Sequence, residues 1–353
     1  MAMDPIALTR ELVGIESTTY HEGRVGEFVA SLLEGQGYAV ERMPVAQSPS
    51  VAGDGQHRER FNVVATMPGI EPQLILSTHM DTVPPFFGLR EDDTFLYGRG
   101  TCDAKGILAA QVAAAERLVA QGLPVGLLFV VGEERDSAGA IEANRHPRGS
   151  RFLINGEPTD NRLAIASKGA LRLELHALGK MAHSAYPELG ESAIDKLVDV
   201  LHDLRGLALP FDPEIGDSTL NVGLLAGGRA PNVIADHAEA HLLIRLIGPS
   251  EQTRVDIERL VGDRAQVHFS LDLPFVRMRS MAGLPTMTAK FTTDIPSLTA
   301  WGEPFLLGPG SIHVAHTPEE RISKRELLEA VDLYETLAKT LLAEPATPTP
   351  ADA

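Results

Sequence analysis

The 353-residue chain has little sulfur chemistry, little aromatic bulk and a deficit of positive charge. A single cysteine, Cys102, excludes an intramolecular disulfide and fits a reducing compartment. Lys and Arg total 31 against 48 Asp and Glu, a formal net charge of −17. That balance excludes a nucleic-acid-backbone partner, because phosphate contacts need clustered cations. An acidic surplus suits cation sites instead. No uncharged apolar run is long enough to span a bilayer, so no membrane role is expected. The opening MAMDPIALTRELVGIES mixes charges into its apolar positions and lacks the hydrophobic stretch of a secretory signal, so a cytoplasmic location is expected.

What is present is the balance of a globular protein: 44% hydrophobic and 22% charged residues. The length implies two domains. Pro5 to Gln36 carries apolar residues at helical spacing and reads as two helices. Apolar runs then alternate with helical patterns: Asn62–Thr66, Leu74–Ser77, an Ala-rich helix Gly106–Gln121, Val125–Val131 and Arg151–Ile154. This is the rhythm of an α/β sheet, and the polar stretch Ala46–Arg60 reads as a surface loop. Beyond Lys168 the order becomes β-α-β-β-α-β, the ferredoxin-like pattern, which can close on itself. Residues 169–272 are therefore read as a second domain inserted into a discontinuous first one, 1–168 and 273–345. The last helix runs from Lys324 to Leu342, and the tail 346–353 is expected to be disordered.

Four places put a polar ligand-type residue just past an apolar run, and a fifth puts one just ahead of the Ala-rich helix. His79 follows Leu74–Ser77, at the edge where open α/β sheets place ligands. Asp81, two residues on, could hold the other ring nitrogen; a structural His is the alternative. Asp103 in GRGTCDAKG precedes the Ala-rich helix and could cap it or bridge two cations; Cys102 reads as a small buried neighbour. Glu133 and Glu134 follow Val125–Val131. Adjacent side chains on extended chain diverge, so one acid could be a ligand while its neighbour faces water and substrate; a solvated acidic turn is the alternative. Glu157 follows Arg151–Ile154, and His313 and His316 sit on a Gly-rich loop after Pro304–Leu307. Jointly these residues form a pattern hard to obtain by structural accident.

In order, STHMDTVP, GRGTCDAKG, GEERDSAGA, NGEPT, GKMAHSAYPELGESAI, APNVIADHAEAHLLIR and GPGSIHVAHTPEE make nearly the whole chain resemble the aminoacylase and carboxypeptidase family of co-catalytic zinc amidohydrolases, which includes acetylornithine deacetylase and succinyl-diaminopimelate desuccinylase. The resemblance implies a zinc-exopeptidase-like α/β catalytic domain, a mixed sheet flanked by helices, with an inserted ferredoxin-like lid and dimerisation domain. It implies two Zn²⁺, with Co²⁺ or Mn²⁺ able to use the same ligands. His79, Asp103 and Glu157 would hold one metal and Asp103, Glu134 and His316 the other, with Asp103 as the bridge. Glu133 would be the general base, and Asp81 would orient His79. A cis peptide is implied after Asp103.

From the inserted domain, His183 would donate to the oxyanion, Asn232 would assist, and Arg245 would grip a substrate carboxylate. Lys168 and the Gly308 backbone would add to that pocket, and His313 is left as structural. The implied substrate is a small amino-acid amide, and the implied assembly a homodimer through the inserted domain. FTTDIP at 291–296 and GPGSIHVAHTPEE lean toward acetylornithine deacetylase. Desuccinylase, acetyl-lysine or acetyl-citrulline deacetylase and dipeptidase or carboxypeptidase are the alternatives, since the metals and carboxylate clamp would be common to all. A non-catalytic metal-binding protein is the remote alternative.

Overall fold

The computed structural model describes residues 3–46 and 59–345. The expected disordered tail at 346–353 and most of the expected loop at 46–60 lie outside the described residues. The chain divides into two compact units.

The first unit comprises Met1–Ala164, Met278–Met287 and Thr293–Ala353. Its sheet runs in the order Ala39–Pro44, Phe61–Thr66, Val125–Val130, Leu74–His79, Phe152–Asn155, Glu303–Leu306, and then Leu163–Ser167 through Ala164. The four central strands, from Val125–Val130 to Glu303–Leu306, are parallel, with antiparallel partners on both flanks. The sequence explains the choice: Leu74–His79 and Val125–Val130 are buried at every position, and a strand covered on both faces reads as a continuous apolar run.

Register brings the carboxyl ends of the parallel strands level. His79 lies opposite Val130, Ser77 opposite Asn155, and Asn155 opposite Leu306. The four chains leaving this edge carry His79, Glu133 and Glu134, Glu157 and His316, while Asp103 comes from the loop after Phe95–Tyr97, a strand of a separate three-stranded sheet.

Helices cover both faces. Pro5–Val13, Gly23–Gly35, Lys105–Ala120 and Lys324–Leu342 enclose the larger core. The small side chains of the Ala-rich helix allow it to be buried almost all round, with Ala109, Ala110, Ala113, Ala114 and Ala115 inaccessible or nearly so. Lys324–Leu342 starts with a capping Ser323, whose side chain accepts from the Glu326 amide. On the opposite face Ala138–Asn144 and Trp301, the sole tryptophan, pack over Ile75, Leu128 and Leu153. Trp301 satisfies its indole N–H on the Ala143 carbonyl at 2.9 Å, as a buried indole requires.

The second unit comprises Ile165–Arg277 and Thr288–Thr292. It is wider than the 169–272 read from periodicity because Val276 and Arg277 pair with Ser167 and Ala166. Its antiparallel sheet has the order Thr219–Gly227, His237–Leu246, Gly169–Leu178, Gln266–Leu273, with helices Ala193–Leu204 and Ser250–Val261 on one face. That is the ferredoxin-like arrangement of a β-α-β-β-α-β chain. Leu171, Leu173 and Leu175 alternate inward along their strand against Leu197, Val200 and Ile257. Among the described residues no helix is long and apolar enough to cross a membrane.

Candidate metal centre

The parallel edge gathers its polar side chains into two groups: His79, Asp103 and Glu157, and Asp103, Glu134 and His316. Within each, one potential ligand atom per residue lies within 4.8 Å of the others. Asp103 belongs to both. His79 Nε2 is 3.0 Å from Asp103 Oδ1, and His316 Nε2 is 3.3 Å from Asp103 Oδ2 and 3.0 Å from Glu134 Oε2. His316 is held at φ +62°, a left-handed conformation uncommon outside glycine.

Asp103 makes no capping bond to the helix that follows, so the helix-cap alternative fails, and the Asp103–Ala104 peptide is cis. Glu133 and Glu134 are half-buried rather than a solvated turn, and of the two only Glu134 joins a ligand group. Cys102 is fully buried, and burial followed by the charges of Glu320 and Asp103 pushes its thiol well up, so it is an inert neighbour. His313 is exposed and joins neither group.

The electrostatics ask for a cation. Burial, then the charge of Glu157, drives Glu133 well above the usual carboxylate range, and burial does the same to Glu157. Burial opposes protonation of His79, but its bond to Asp103 and the nearby Asp81 carboxylate prevail and hold it well up. His316 is raised to about 10 by its contacts with Asp103 and Glu134. Glu157 is 4% exposed, and its Oε1 has no hydrogen-bond partner among the described residues. An orphaned buried carboxylate oxygen beside other crowded acids fits a divalent ion. A donor set of imidazole and carboxylate without thiolate fits Zn²⁺, and also Co²⁺ or Mn²⁺.

Asp81 orients its neighbour differently from the expectation. His79 Nδ1 meets the Asp81 main-chain carbonyl at 2.9 Å, while the carboxylate is 3.5 Å away. The carboxylate is occupied elsewhere, accepting from the amides of Gly132, Glu133 and Glu134. Gly308 also differs. Its N–H donates to Thr159 Oγ1 at 2.9 Å and its carbonyl accepts from Asn161 at 2.9 Å, so neither backbone group is free for substrate. A β-carbon on Gly308 would lie 2.4 Å from the Glu157 carbonyl oxygen; its role is to let the chain pass close to Glu157.

The remaining expected residues lie in the second unit. His183 and Asn232 are exposed on adjacent segments joined by the His183–Val233 bridge and the bond from the Ser184 amide to the Asn232 carbonyl. His183 Nδ1 accepts from the Ala185 amide at 3.1 Å, which leaves Nε2 to carry the proton of the neutral ring. Arg245 is half-buried; burial, then nearby Arg172, lowers its pKa. Lys168 Nζ donates to the Asp217 carbonyl.

Three residues escaped the sequence reading. Glu320 Oε1 accepts from the Gly100 amide at 2.8 Å and faces the Cys102 and Asp103 amides at 3.4 Å, while Oε2 takes Arg99. Asking where the buried amides of the glycine-rich 98–103 loop find acceptors would have pointed to this acid. Asp294 is 1% exposed, with one oxygen unpartnered among the described residues, and burial is the first cause that raises it to about 7.

The model of the family described as peptidase family M20/M25/M40 matches residues 75–340. A probable carboxypeptidase of Aspergillus terreus is 36% identical over 376 residues, covering 96% of this chain and 86% of that protein. Among solved structures, aminopeptidase PepT from Bacillus cereus superposes with a TM-score of 0.78 at 20% identity, covering 98% of this chain and 99% of that one. The YXEP protein of Bacillus subtilis, described as a dinuclear metal-binding peptidase of the M20 family, gives 0.69 at 16% identity, covering 96% and 97%. With its family model spanning most of its length and a relative above one-third identity along nearly all of it, the chain belongs to peptidase family M20/M25/M40.

Proposed function

We propose that the protein is a metal-dependent hydrolase of the amide bond that joins an acyl or aminoacyl group to an amino acid with a free carboxylate. The convergence of His79, Asp103, Glu134, Glu157 and His316 on one sheet edge, with Glu133 beside them, carries this reading. The two ligand groups would each hold one metal, Asp103 serving both. Bound there, the metals supply Lewis-acid polarisation of the amide carbonyl and activation of a water. Glu133 is the group that takes the proton from the attacking water and returns it to the departing amine; its raised affinity for protons suits that exchange.

His183, through Nε2–H, would stabilise the developing oxyanion with Asn232 assisting, and Arg245 would pair with the substrate carboxylate. Among the described residues Arg172 is the charged neighbour of Arg245 that shifts it, and it repels rather than pairs. A homodimer through the inserted unit is proposed as well. Its edge strand Thr219–Gly227 exposes Leu224 and Leu225, 63% and 59% accessible.

The carboxypeptidase description of the fungal relative favours a peptide substrate, while FTTDIP and GPGSIHVAHTPEE favour an N-acetylated amino acid such as acetylornithine. The experiment is amine release from a panel of dipeptides and N-acetyl and N-succinyl amino acids, using metal-stripped protein with and without Zn²⁺ or Co²⁺. Metal-dependent release from one class is expected and names the substrate. No release from any member, with metal bound, overturns the hydrolase reading.

A further inference from the structure

Ser17–Thr19, between the first two helices, lies parallel against the chain leaving His79. The Thr82 amide donates to the Ser17 carbonyl at 3.0 Å, the Thr19 amide to the Thr82 carbonyl at 3.1 Å, and Ser17 Oγ to the Met80 carbonyl at 2.8 Å. This strap delivers Thr19 Oγ1 to Asp81 Oδ2 at 2.8 Å, with Thr19 8% exposed and Asp81 inaccessible. Asp81 then collects three consecutive main-chain amides: Gly132 at 2.9 Å and Glu133 at 3.1 Å on Oδ1, and Glu134 at 3.3 Å on Oδ2. Four donors fill the acceptor capacity of a carboxylate. Three successive N–H groups turned onto one anion make a nest, and here the anion belongs to the protein.

From this geometry we infer that Thr19 and Asp81 form a clamp that sets the position of the Gly132–Glu134 turn, making Thr19 a positioning residue for Glu133. The inference rests on the proposed reading of Glu133 as the base. Without the Thr19 hydroxyl, Asp81 Oδ2 loses its side-chain donor among the described residues, the carboxylate is freer to rotate, and the amides bonded to it move with it. A group that exchanges protons with water and amine tolerates little displacement, since an error of 1 Å can cost about a hundredfold in rate.

The test compares Thr19→Val, Thr19→Ser and Glu133→Gln with the unaltered protein at saturating Zn²⁺, and follows amide hydrogen exchange at residues 132–134 in the metal-stripped chain. Thr19→Val keeps the shape and removes the donor. It is expected to lower kcat about tenfold with KM within about twofold, and to quicken exchange at 132–134. Thr19→Ser restores the donor and is expected to recover both. Unchanged exchange or unchanged kcat in Thr19→Val, beside an inactive Glu133→Gln, overturns the clamp. So does a serine variant no better than the valine one. Wild-type turnover in Glu133→Gln overturns the base assignment instead, and the exchange rates of the metal-stripped variants then decide the clamp by themselves.

Discussion

Arg99 Nη1 donates to Glu320 Oε2 at 2.5 Å, and the two side chains are 2% and 0% exposed. Glu320 stands four residues beyond His316 and caps the loop that ends in Asp103, so this ion pair joins two segments that each carry a ligand-type side chain.

The desolvation of that pair sets a first prediction. Taking one partner from a buried ion pair leaves an uncompensated charge and costs about 3 to 5 kcal/mol. Glu320→Gln is expected to fall in that range by urea unfolding, and adding Arg99→Met to it is expected to recover part of the loss. A single variant as stable as the unaltered protein would show that the loop holds itself.

Proton linkage gives a second. A histidine ligand must be neutral and a carboxylate ligand ionised. In the metal-free chain His316 is raised to about 10 and Glu157 well above its usual range. His316 therefore holds a proton near neutrality that binding must expel, and Glu157 gives up its proton less readily than an ordinary carboxyl. Affinity for Zn²⁺ is expected to rise with pH between about 6 and 8, and calorimetry in buffers of different ionisation enthalpy should register proton release. A pH-independent affinity, or proton uptake, contradicts the assigned ligands.

Asp294 supplies a third. Its charge is one of the influences that raise Glu133, after burial and Glu157. Asp294→Asn removes that repulsion, so Glu133 should give up its proton at lower pH. The acid limb of the kcat/KM profile is then expected to move down in pH, since that limb reports the ionisation of the free enzyme's base. An unmoved or upward-moved limb would separate Asp294 from the base.

His79, Glu134, Glu157 and His316 were visible in the sequence because each comes after an apolar run, and parallel strands covered on both faces must end side by side; Asp103 showed instead as an acid just ahead of the Ala-rich helix. The order of those strands was not visible. Nothing local says that Val125–Val130 inserts between Phe61–Thr66 and Leu74–His79. The short strands Arg90–Glu91, Phe95–Tyr97 and Arg321–Ser323 are too brief to show a period. Glu320 and Asp294 look like any solvated acid, because their burial depends on partners far along the chain; Arg99 is 221 residues from Glu320. Gly308 was assigned to substrate on resemblance, whereas its hydrogen bonds are spent on Thr159 and Asn161.

That reassignment of Gly308 makes a fourth prediction. A methyl group there would stand 2.4 Å from the Glu157 carbonyl oxygen and 3.2 Å from its carbonyl carbon and amide nitrogen, all main-chain atoms with no rotamer to escape into. Gly308→Ala must therefore push the Glu157 backbone away. Overpacking of this kind costs about 1 to 3 kcal/mol, and the displacement should weaken the group formed by His79, Asp103 and Glu157 more than the group formed by Asp103, Glu134 and His316. Urea unfolding and elemental analysis at limiting Zn²⁺ check both, with less than two metals per chain expected. Gly35→Ala is the control, because among the described residues nothing lies within 4 Å of a β-carbon at that helical position. If Gly308→Ala keeps its stability and both metals, Glu157 is not positioned by this contact; if the control loses metal as well, the loss does not originate at Glu157.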